Sequence, residues 1–398
     1  MLGGLSDKEF EEAVKENRAK IAGEADRITR RTINVAARKS TGSRQAMIPD
    51  GRYGCISSTH PGQWKRSSAR CGQIRWTLNI RRGAPIAERI ADLAKLFGVS
   101  RDAVERWTKD ARAEEKRAVH DRAYDLWLDC YSQRDIAEII GREYPAFEGT
   151  DHKAIGRWVD VAFSASAANA PPDSRQHFDI WQFATADEDA GGQSYFGAMP
   201  PQVVENLLWF FTEPGDIVVD PFAGSGTTVD VAKAMGRRVW ASDIRGNHYS
   251  PHLPIHKHDI TTGWPDAAPG KADLVFLDPP YWKQASGRYS TEPNELAEMD
   301  LVAFYGAWVK VIDIVFKRAK LISYIISPTQ NEDGSVIDRA TDMLDPFCRA
   351  GWRVERRIIV PYQTQQATGQ QATGQQVTWA RDKKRMLKLY RDLVVLAP

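Results

Sequence analysis

The tetrapeptide Asp278-Pro279-Pro280-Tyr281 directly follows the apolar run at residues 274–277. Such a run predicts a buried strand, so the tetrapeptide stands at the strand's carboxyl end. It offers a carboxylate, a carbonyl whose direction proline restricts, and a flat aromatic ring. Two acceptors can hold the hydrogens of an amino group and draw its nitrogen toward tetrahedral geometry, while the ring stacks on a base. The spacing therefore predicts chemistry on the exocyclic amino group of a nucleobase.

A glycine-rich motif stands about fifty residues upstream of the tetrapeptide. It reads Asp220-Pro221-Phe222-Ala223-Gly224-Ser225-Gly226-Thr227-Thr228. The motif joins a predicted strand at 216–220 to a predicted helix that starts at Thr227. Glycines in such a turn let the backbone approach a ligand closely. Val229 stands where the dinucleotide fingerprint has its third glycine, so a nicotinamide or flavin site is disfavoured.

Two acidic residues follow this motif at informative positions. Asp243 ends a predicted strand at 238–242, about 20 residues after the glycine turn, where an acid accepts hydrogen bonds from ribose hydroxyls. Asp259 follows in the segment His258-Asp259-Ile260. A helix cap or a solvated surface charge is the alternative interpretation of each acid. The order of glycine turn, Asp243 and Asp278 favours one ligand site at the strand ends.

The strings DPFAGSGTT and DPPY, in this order, resemble those of the DNA amino-methyltransferases, which modify adenine N6 or cytosine N4. The resemblance covers residues 176–398. It implies S-adenosylmethionine as cofactor, DNA as partner and no metal. Asp278, Pro279, Pro280 and Tyr281 would be catalytic, and Asp259 would read the donor's adenine. The cofactor-binding residues that it implies are Phe196, Asp220, Phe222, Gly224, Gly226, Thr227, Asp243 and Asp259.

Adenine N6 is the preferred target because DPPY is common among the adenine enzymes, and cytosine N4 is the alternative. Two further classes stay open on the sequence. A protein glutamine methyltransferase shares the Pro-Pro-aromatic pattern but typically begins it with Asn. A non-catalytic DNA-binding regulator would keep the N-terminal helices and lose the glycine motif.

The pattern of the chain divides it into four parts. Residues 1–82 are polar and basic, residues 84–161 look helical, and residues 162–175 form a linker with small residues and prolines. Residues 176–398 alternate strand-like and helix-like stretches. The predicted fold is α/β, a doubly wound, mostly parallel, seven-stranded Rossmann-like methyltransferase sheet, with an N-terminal helical region.

The helical region contains two candidate helix-turn-helix units. In the first, at residues 86–111, Gly98 allows a positive φ and Ser100 can cap the next helix, a recognition helix at 101–112. The second unit spans residues 125–158, with a turn longer than the usual three or four residues. A small helical bundle without a DNA role is the alternative for both.

Residues 57–82 carry six Lys or Arg and no Asp or Glu. Codons allowed for residues 59–66 can spell Asp-Pro-Pro-Trp-Pro-Val-Glu-Lys when they are read one base earlier, which resembles the DPPW-type adenine methyltransferases of phages. We hypothesise that residues 57–82 are an out-of-frame remnant of a second methyltransferase, and the gene's nucleotide sequence decides this. On this hypothesis their basic charge is accidental.

Composition bounds the remaining classes. The net charge is +2, so bulk electrostatics does not indicate a polyanion binder. The four cysteines lie far apart and form no C-x-x-C pair, which disfavours a zinc site or a disulfide framework. The sequence shows no long apolar stretch and no signal peptide, so we expect a cytoplasmic protein without membrane contact.

The short spacing between the glycine motif and Asp278 leaves no room there for a large target-recognition domain. We therefore expect the target DNA sequence to be recognised by the helical region, by the loop at 282–300 or by the Gln-rich loop near 363–376. The Gln-rich loop contains a tandem repeat of Gln-Gln-Ala-Thr-Gly.

Overall fold

The computed structural model describes residues 84–167, 175–183, 199–282, 295–331, 335–361, 374–384, 386 and 389–398. These residues fall within one compact unit, which spans residues 68–398. The hypothesised remnant at 57–82, Phe196 and most of the two candidate reading loops lie outside the described residues.

A seven-stranded sheet forms the centre of the molecule. Its order is β3-β2-β1-β4-β5-β9-β8, in which β1 to β5 run parallel and β9 is antiparallel to both of its neighbours. The predicted doubly wound, mostly parallel sheet is confirmed. Its strands are β1 Ile217–Asp220, β2 Arg238–Asp243, β3 Ile255–Lys257, β4 Ala272–Leu277, β5 Ala319–Ile326, β8 Arg353–Pro361 and β9 Tyr390–Ala397. The short strands β6 Thr329–Gln330 and β7 Val336–Ile337 pair separately.

Both faces of the central strands β1, β4, β5 and β9 are buried because these strands are apolar at successive positions. Val218 belongs to the core cluster on one face and Val219 to that on the other. The first cluster includes residues of α6 and α7, and the second includes residues of α8 and α9. The helices of this region are α6 Pro201–Phe211, α7 Thr227–Ala234, α8 Leu301–Val315, α9 Arg339–Arg349 and α10 Gly374–Asp382.

The described part of the N-terminal region is helical, and its last helix continues to Ala167, into the stretch predicted as a linker at 162–175. Its helices are α1 Ile86–Phe97, α2 Arg101–Trp107, α3 Lys109–Leu128, α4 Gln133–Glu143 and α5 His152–Ala167. Residues of α3, α4 and α5 share a small core that includes Val119, Ile136 and Ile155, each without exposed surface. Within the described ranges, no helix is long and apolar enough to cross a membrane.

The turn of the first candidate unit has its predicted caps. Gly98 has a φ of 63°, and the Ser100 hydroxyl accepts a hydrogen bond from the Ala103 N–H. The helix predicted at 101–112 is divided, however, because α2 ends at Trp107 and α3 begins at Lys109. Thr108, between them, turns its hydroxyl back to the Val104 carbonyl at 2.8 Å, which competes with regular helix geometry. The helix after the turn is therefore shorter than predicted.

The helical region contacts the amino ends of the strands. The Arg238 Nε at the start of β2 donates to the Trp127 carbonyl at 3.2 Å, and its guanidinium lies over the Trp127 ring. The Lys233 ammonium, near the end of α7, pairs with Asp129 at 2.6 Å. From Arg238 to Asp243 the strand rises by roughly 17 Å. These contacts therefore lie at the edge of the sheet opposite to Asp243.

Trp127 connects the helical region to the sheet, so its truncation should lower the stability of the whole unit. We expect Trp127→Ala to lower the free energy of unfolding by about 2 kcal/mol, below the cost for a fully buried tryptophan. Thermal unfolding measures the effect. The control is Trp379→Ala, since Trp379 is 40% exposed. Equal changes in melting temperature for the two variants would contradict the assigned contact.

Candidate active site

The first strand delivers a buried carboxylate to the carboxyl edge of the sheet. Asp220 ends β1, is 2% exposed, and accepts a hydrogen bond from the Phe222 N–H at 2.9 Å. Burial raises the pKa of Asp220, while the Thr228 hydroxyl and the Phe222 N–H lower it and the charge of Asp243 raises it. Asp220 thus anchors the start of the turn that follows.

The turn itself depends on its glycines. Gly224 and Gly226 have φ values of 50° and 89°, in the left-handed region that favours glycine. A Cβ on Gly226 would lie 2.3 Å from Leu253 Cδ1. Helix α7 begins at Thr227 directly after the turn, with no side chain capping its first turn. The chain therefore presents backbone N–H groups at a helix start that no side chain caps.

Asp243 ends β2 beside this turn. One of its carboxylate oxygens accepts from the Gly224 N–H at 3.1 Å and the other from the Arg245 N–H at 2.9 Å. Burial raises the pKa of Asp243, and these two N–H groups lower it. Each carboxylate oxygen has a second lone pair with which it can accept from a ligand hydroxyl. Asp243 can thus hold the glycine turn and, at the same time, accept a hydrogen bond from a ligand.

Asp259 follows β3 and caps a short 3-10 helix, Ile260–Thr262. Its Oδ1 accepts from the Thr261 N–H at 2.9 Å and from the Thr261 hydroxyl at 2.7 Å. Asp259 also lines the same cavity as Asp243. The capping interpretation of Asp259 and the ligand interpretation are therefore compatible.

The tetrapeptide Asp278–Tyr281 follows β4 directly, as predicted. Asp278 and Pro280 are partly exposed, whereas Pro279 is buried and Tyr281 is 9% exposed. The Tyr281 hydroxyl bonds to the Asp278 carboxylate, and the Tyr281 ring packs in the core cluster of one sheet face. Tyr281 thus lies against the core, with its hydroxyl turned to Asp278.

The environment of Asp278 favours its protonated form. Burial raises the pKa of Asp278 to about 7, the charge of Arg391 lowers it, and the charge of Asp220 raises it. Arg391 lies near the start of β9 and is 2% exposed. The motif search missed Arg391, although a sequence signal exists: Arg391 and Asp392 are adjacent charges in an otherwise apolar strand.

A second arginine lies beside the tetrapeptide and was also missed. Arg339, at the start of α9, is 2% exposed, and its guanidinium lies 4.8 Å from the centre of the Trp282 ring. Its Nη1 donates to the Tyr305 hydroxyl at 2.5 Å, and the Trp282 ring N–H donates to the Met299 carbonyl at 2.9 Å. These contacts hold Trp282, the residue after Tyr281, in place.

One cleft joins these parts at the carboxyl edge. The predicted site residues that line it are Asp220, Phe222, Gly224, Thr227, Asp243, Asp259, Asp278, Pro279, Pro280 and Tyr281. Gly226, between lining residues, belongs to the same turn. Phe196 lies outside the described residues, but Met199, a few positions later, is 6% exposed and lines the cleft. A ligand in the glycine turn and an amino group at Asp278 can therefore share one space.

The chain resembles known methyltransferases over part of its length. Residues 107–250 match a family model, N6_N4_Mtase, described as DNA methylase. This stretch contains the glycine turn and Asp243 and ends before Asp259 and Asp278.

Two curated relatives are type II methyltransferases. The chain is 33% identical over 92 residues to M.BglII of Bacillus subtilis and 37% identical over 70 residues to M2.DpnII of Streptococcus pneumoniae. These alignments cover 22% and 17% of this chain and 23% and 25% of the two relatives. The chain thus spans about a quarter of the length of these relatives.

Among solved structures, the chain is similar to an SAM-dependent methyltransferase from Geobacter sulfurreducens in complex with S-adenosyl-L-homocysteine. The two share 13% sequence identity, with a TM-score of 0.31. The similarity covers 52% of this chain and 96% of that one.

The close approach at Gly226 can be tested by adding one methyl group. We expect Gly226→Ala to abolish binding of S-adenosylhomocysteine and to lower the melting temperature, because the new Cβ would meet Leu253 and the φ of 89° is strained. Isothermal titration calorimetry and thermal unfolding measure the two effects. Gly306→Ala is the control, since a Cβ there meets nothing within 4 Å and Gly306 lies in α8. Unchanged ligand binding in Gly226→Ala would contradict the assignment of the turn.

Proposed function

We propose that this chain is a DNA methyltransferase that moves a methyl group from S-adenosylmethionine to the exocyclic amino group of adenine, at N6. The observation that carries the proposal is that Asp278–Tyr281 and three residues of the glycine turn, Gly224, Ser225 and Thr227, line one cleft at the carboxyl edge of the sheet. Such sheets bind ligands at this edge. The match to the DNA methylase model and the similarity to type II methyltransferases support the same activity.

The donor side of the cleft fits S-adenosylmethionine. Gly226 lets the turn pack against Leu253, where a Cβ would clash, and the start of α7 offers backbone N–H groups to the ligand. Asp243 would accept from the ribose hydroxyls, and Asp259 would accept from the adenine amino group of the donor. When bound, the cofactor supplies an electrophilic methyl group on a positively charged sulfur.

The acceptor side prepares the amino nitrogen as a nucleophile. The lone pair of a nucleobase amino group is delocalised into the ring, so the nitrogen attacks poorly until that lone pair is localised. The Asp278 carboxylate and the Pro279 carbonyl each accept one amino hydrogen. Positive charge grows on the nitrogen as the bond forms, so these acceptors stabilise the transition state more than the bound substrate.

When Asp278 is ionised, both of its carboxylate oxygens can accept a hydrogen bond. When it is protonated, one of the two oxygens carries a hydrogen and acts as a donor. The Arg391 guanidinium favours the ionised form, whereas burial and the charge of Asp220 oppose it. The Tyr281 hydroxyl donates to Asp278 and so also favours the carboxylate. Arg391 therefore keeps the catalytic carboxylate available near neutral pH without occupying the cleft.

Tyr281 is the residue that we assign to the target base. Stacking of a base on an aromatic ring contributes roughly 1–3 kcal/mol. Removing a base from the duplex costs a few kcal/mol, so stacking offsets a large part of this cost. The Tyr281 ring is 9% exposed, and its contact with the base is limited to the part that faces the cleft.

The geometry at Asp278 serves the amino group of cytosine as well as that of adenine. Digestion of methylated DNA to nucleosides, followed by mass spectrometry, separates N6-methyladenine from N4-methylcytosine. We expect N6-methyladenine. N4-methylcytosine alone would overturn the choice of base and leave the mechanism intact.

We assign recognition of the target DNA sequence to the loops that follow strands at the carboxyl edge. The helical region contacts the opposite edge through Trp127 and Asp129, roughly one strand length from the catalytic carboxylate. The loop at 282–300, in contrast, follows the carboxyl end of β4, and the loop at 363–376 follows the carboxyl end of β8. We therefore place base recognition in these loops rather than in the first helix-turn-helix unit.

Removal of the catalytic carboxylate should separate chemistry from donor binding. We expect Asp278→Ala to lose methyl transfer to duplex DNA by at least about a hundredfold, because a preorganised acceptor at a developing charge contributes that much or more. Transfer of labelled methyl groups measures the activity, and calorimetry with S-adenosylhomocysteine measures donor binding, which should persist. Asp313→Ala is the control, since Asp313 is exposed on α8. Full methyl-transfer activity in Asp278→Ala would contradict the proposed role of Asp278.

The raised pKa of Asp278 predicts an acid limb in the pH profile. The pKa lies at about 7, so kcat/KM should rise with pH through this value and level off above it, because protonated Asp278 loses an acceptor. In Asp220→Asn the midpoint should move to lower pH, since the charge of Asp220 raises the pKa of Asp278. Initial rates between about pH 5.5 and 9 measure both profiles. A flat profile in the wild-type protein would exclude this role of Asp278.

A further inference from the structure

The chain between α10 and β9 is strongly basic. Residues 381–391 contain six Lys or Arg and one acid, Asp382. Four of the basic residues are described. Arg381, Lys383 and Lys384 are exposed, whereas Arg391 is buried in β9. The three exposed residues lie at the end of α10, which closes at Asp382.

The register of the sheet places this segment at the catalytic edge. Pro361 at the end of β8 pairs with Tyr390 at the start of β9, so the connection between them leaves and rejoins the sheet at one edge. This is the carboxyl edge of β5, because β9 runs antiparallel to β5. Strand β9 lies two strands from β4, about 10 Å from the line of Asp278. Lys384 is six residues from Tyr390, at most about 21 Å of chain.

The charge of this turn is largely uncompensated. Arg381 lies 3.6 Å from its neighbour Asp382, and both side chains are exposed to solvent. Within the described part of the chain, Lys383 and Lys384 have no ion-pair partner. An exposed group of three cations with one acid among them attracts a polyanion.

Lys384 has an unusual backbone conformation. Its φ is 49°, in the left-handed region, and its N–H donates to the Arg381 carbonyl at 3.1 Å. This is the position after a helix at which glycine is common. Attraction between cations and the carboxyl end of a helix explains basic residues here, but it does not explain why lysine occupies a position that favours glycine. An outlier of this kind is a reason to look for a function of the side chain.

We propose that Arg381, Lys383 and Lys384 form a basic turn that binds the phosphates of duplex DNA beside the target nucleotide. The inference rests on the proposed DNA methyl transfer and adds the surface that holds the duplex. Phosphates follow each other every few ångströms along DNA, so neighbouring cations on one turn can each neutralise one. Contacts to phosphates position the duplex without recognising its sequence, and the target base is bound by the cleft.

The test measures how the affinity of the full chain for DNA depends on salt. The probe is a fluorescein-labelled duplex of mixed sequence, titrated with protein in the presence of S-adenosylhomocysteine at several salt concentrations. For Lys383→Ala and Lys384→Gly we expect the slope of log K against log salt to fall by about 0.9 each, and affinity at 0.1 M salt to fall about eightfold. Lys384→Gly should keep or raise the melting temperature, because glycine relieves the left-handed φ. Loss of DNA affinity without loss of stability therefore identifies the side chain itself.

Lys317→Ala is the matched control. Lys317 is an exposed lysine in the turn before β5, at the amino edge of the sheet, and its removal should leave affinity and slope unchanged. Wild-type slopes in both basic-turn variants would overturn the proposed turn while donor binding and methyl transfer stand. A lower melting temperature with an unchanged slope assigns these residues to helix capping and also overturns it. If the wild-type chain does not bind duplex DNA under any of these conditions, the turn and the proposed function both fall.

Discussion

Three carboxylates meet at one edge of a parallel sheet, and the rest of the site depends on how their charge is balanced. Asp220 and Asp243 each end a strand, Asp278 directly follows one, and burial raises the pKa of all three. Parallel strands bring these ends together by topology alone. For Asp220 and Asp243 the balance comes from N–H groups that follow their strands and from the Thr228 hydroxyl. For Asp278 it comes from the Tyr281 hydroxyl and from Arg391 in β9. The glycine turn serves the same purpose, since its Gly224 N–H is one of these donors.

The balance differs between the two sides of the cleft. On the donor side the compensating groups are mainly hydrogen-bond donors, namely backbone N–H groups and the Thr228 hydroxyl, with the charge of Arg245 contributing less. On the acceptor side they are a guanidinium and a hydroxyl, both from buried side chains. The side where charge changes during the proposed reaction is therefore the side where a full charge is the leading compensation.

The donor side of the cleft could be predicted from local sequence patterns. The strand and turn from Ile217 to Gly226 are set by near neighbours in sequence, and apolar runs with glycine punctuation identify them. The helix at 101–112 was predicted too long because the Thr108 hydroxyl returns to Val104, a competition that periodicity does not register. The position of the helical region on the sheet could not be predicted from local patterns, because the contact of Arg238 with Trp127 joins residues 111 positions apart. Arg391 was missed for the same reason: its partner Asp278 lies on a strand that is distant in sequence.

The place of β9 in the sheet has a consequence for the order in which the protein is built. Although β9 comes after β8 in sequence, it lies between β5 and β8. Until residues 390–397 leave the ribosome, β8 has no neighbour beyond the bridge between Ile180 and Ile359, and β5 presents an unpaired edge, a surface prone to unwanted association. Strands β1 to β4 and the glycine turn can form earlier from contacts closer in sequence. The half of the cleft that would hold the cofactor can thus form early in synthesis, whereas the carboxylate that would activate the base gains Arg391 only with β9.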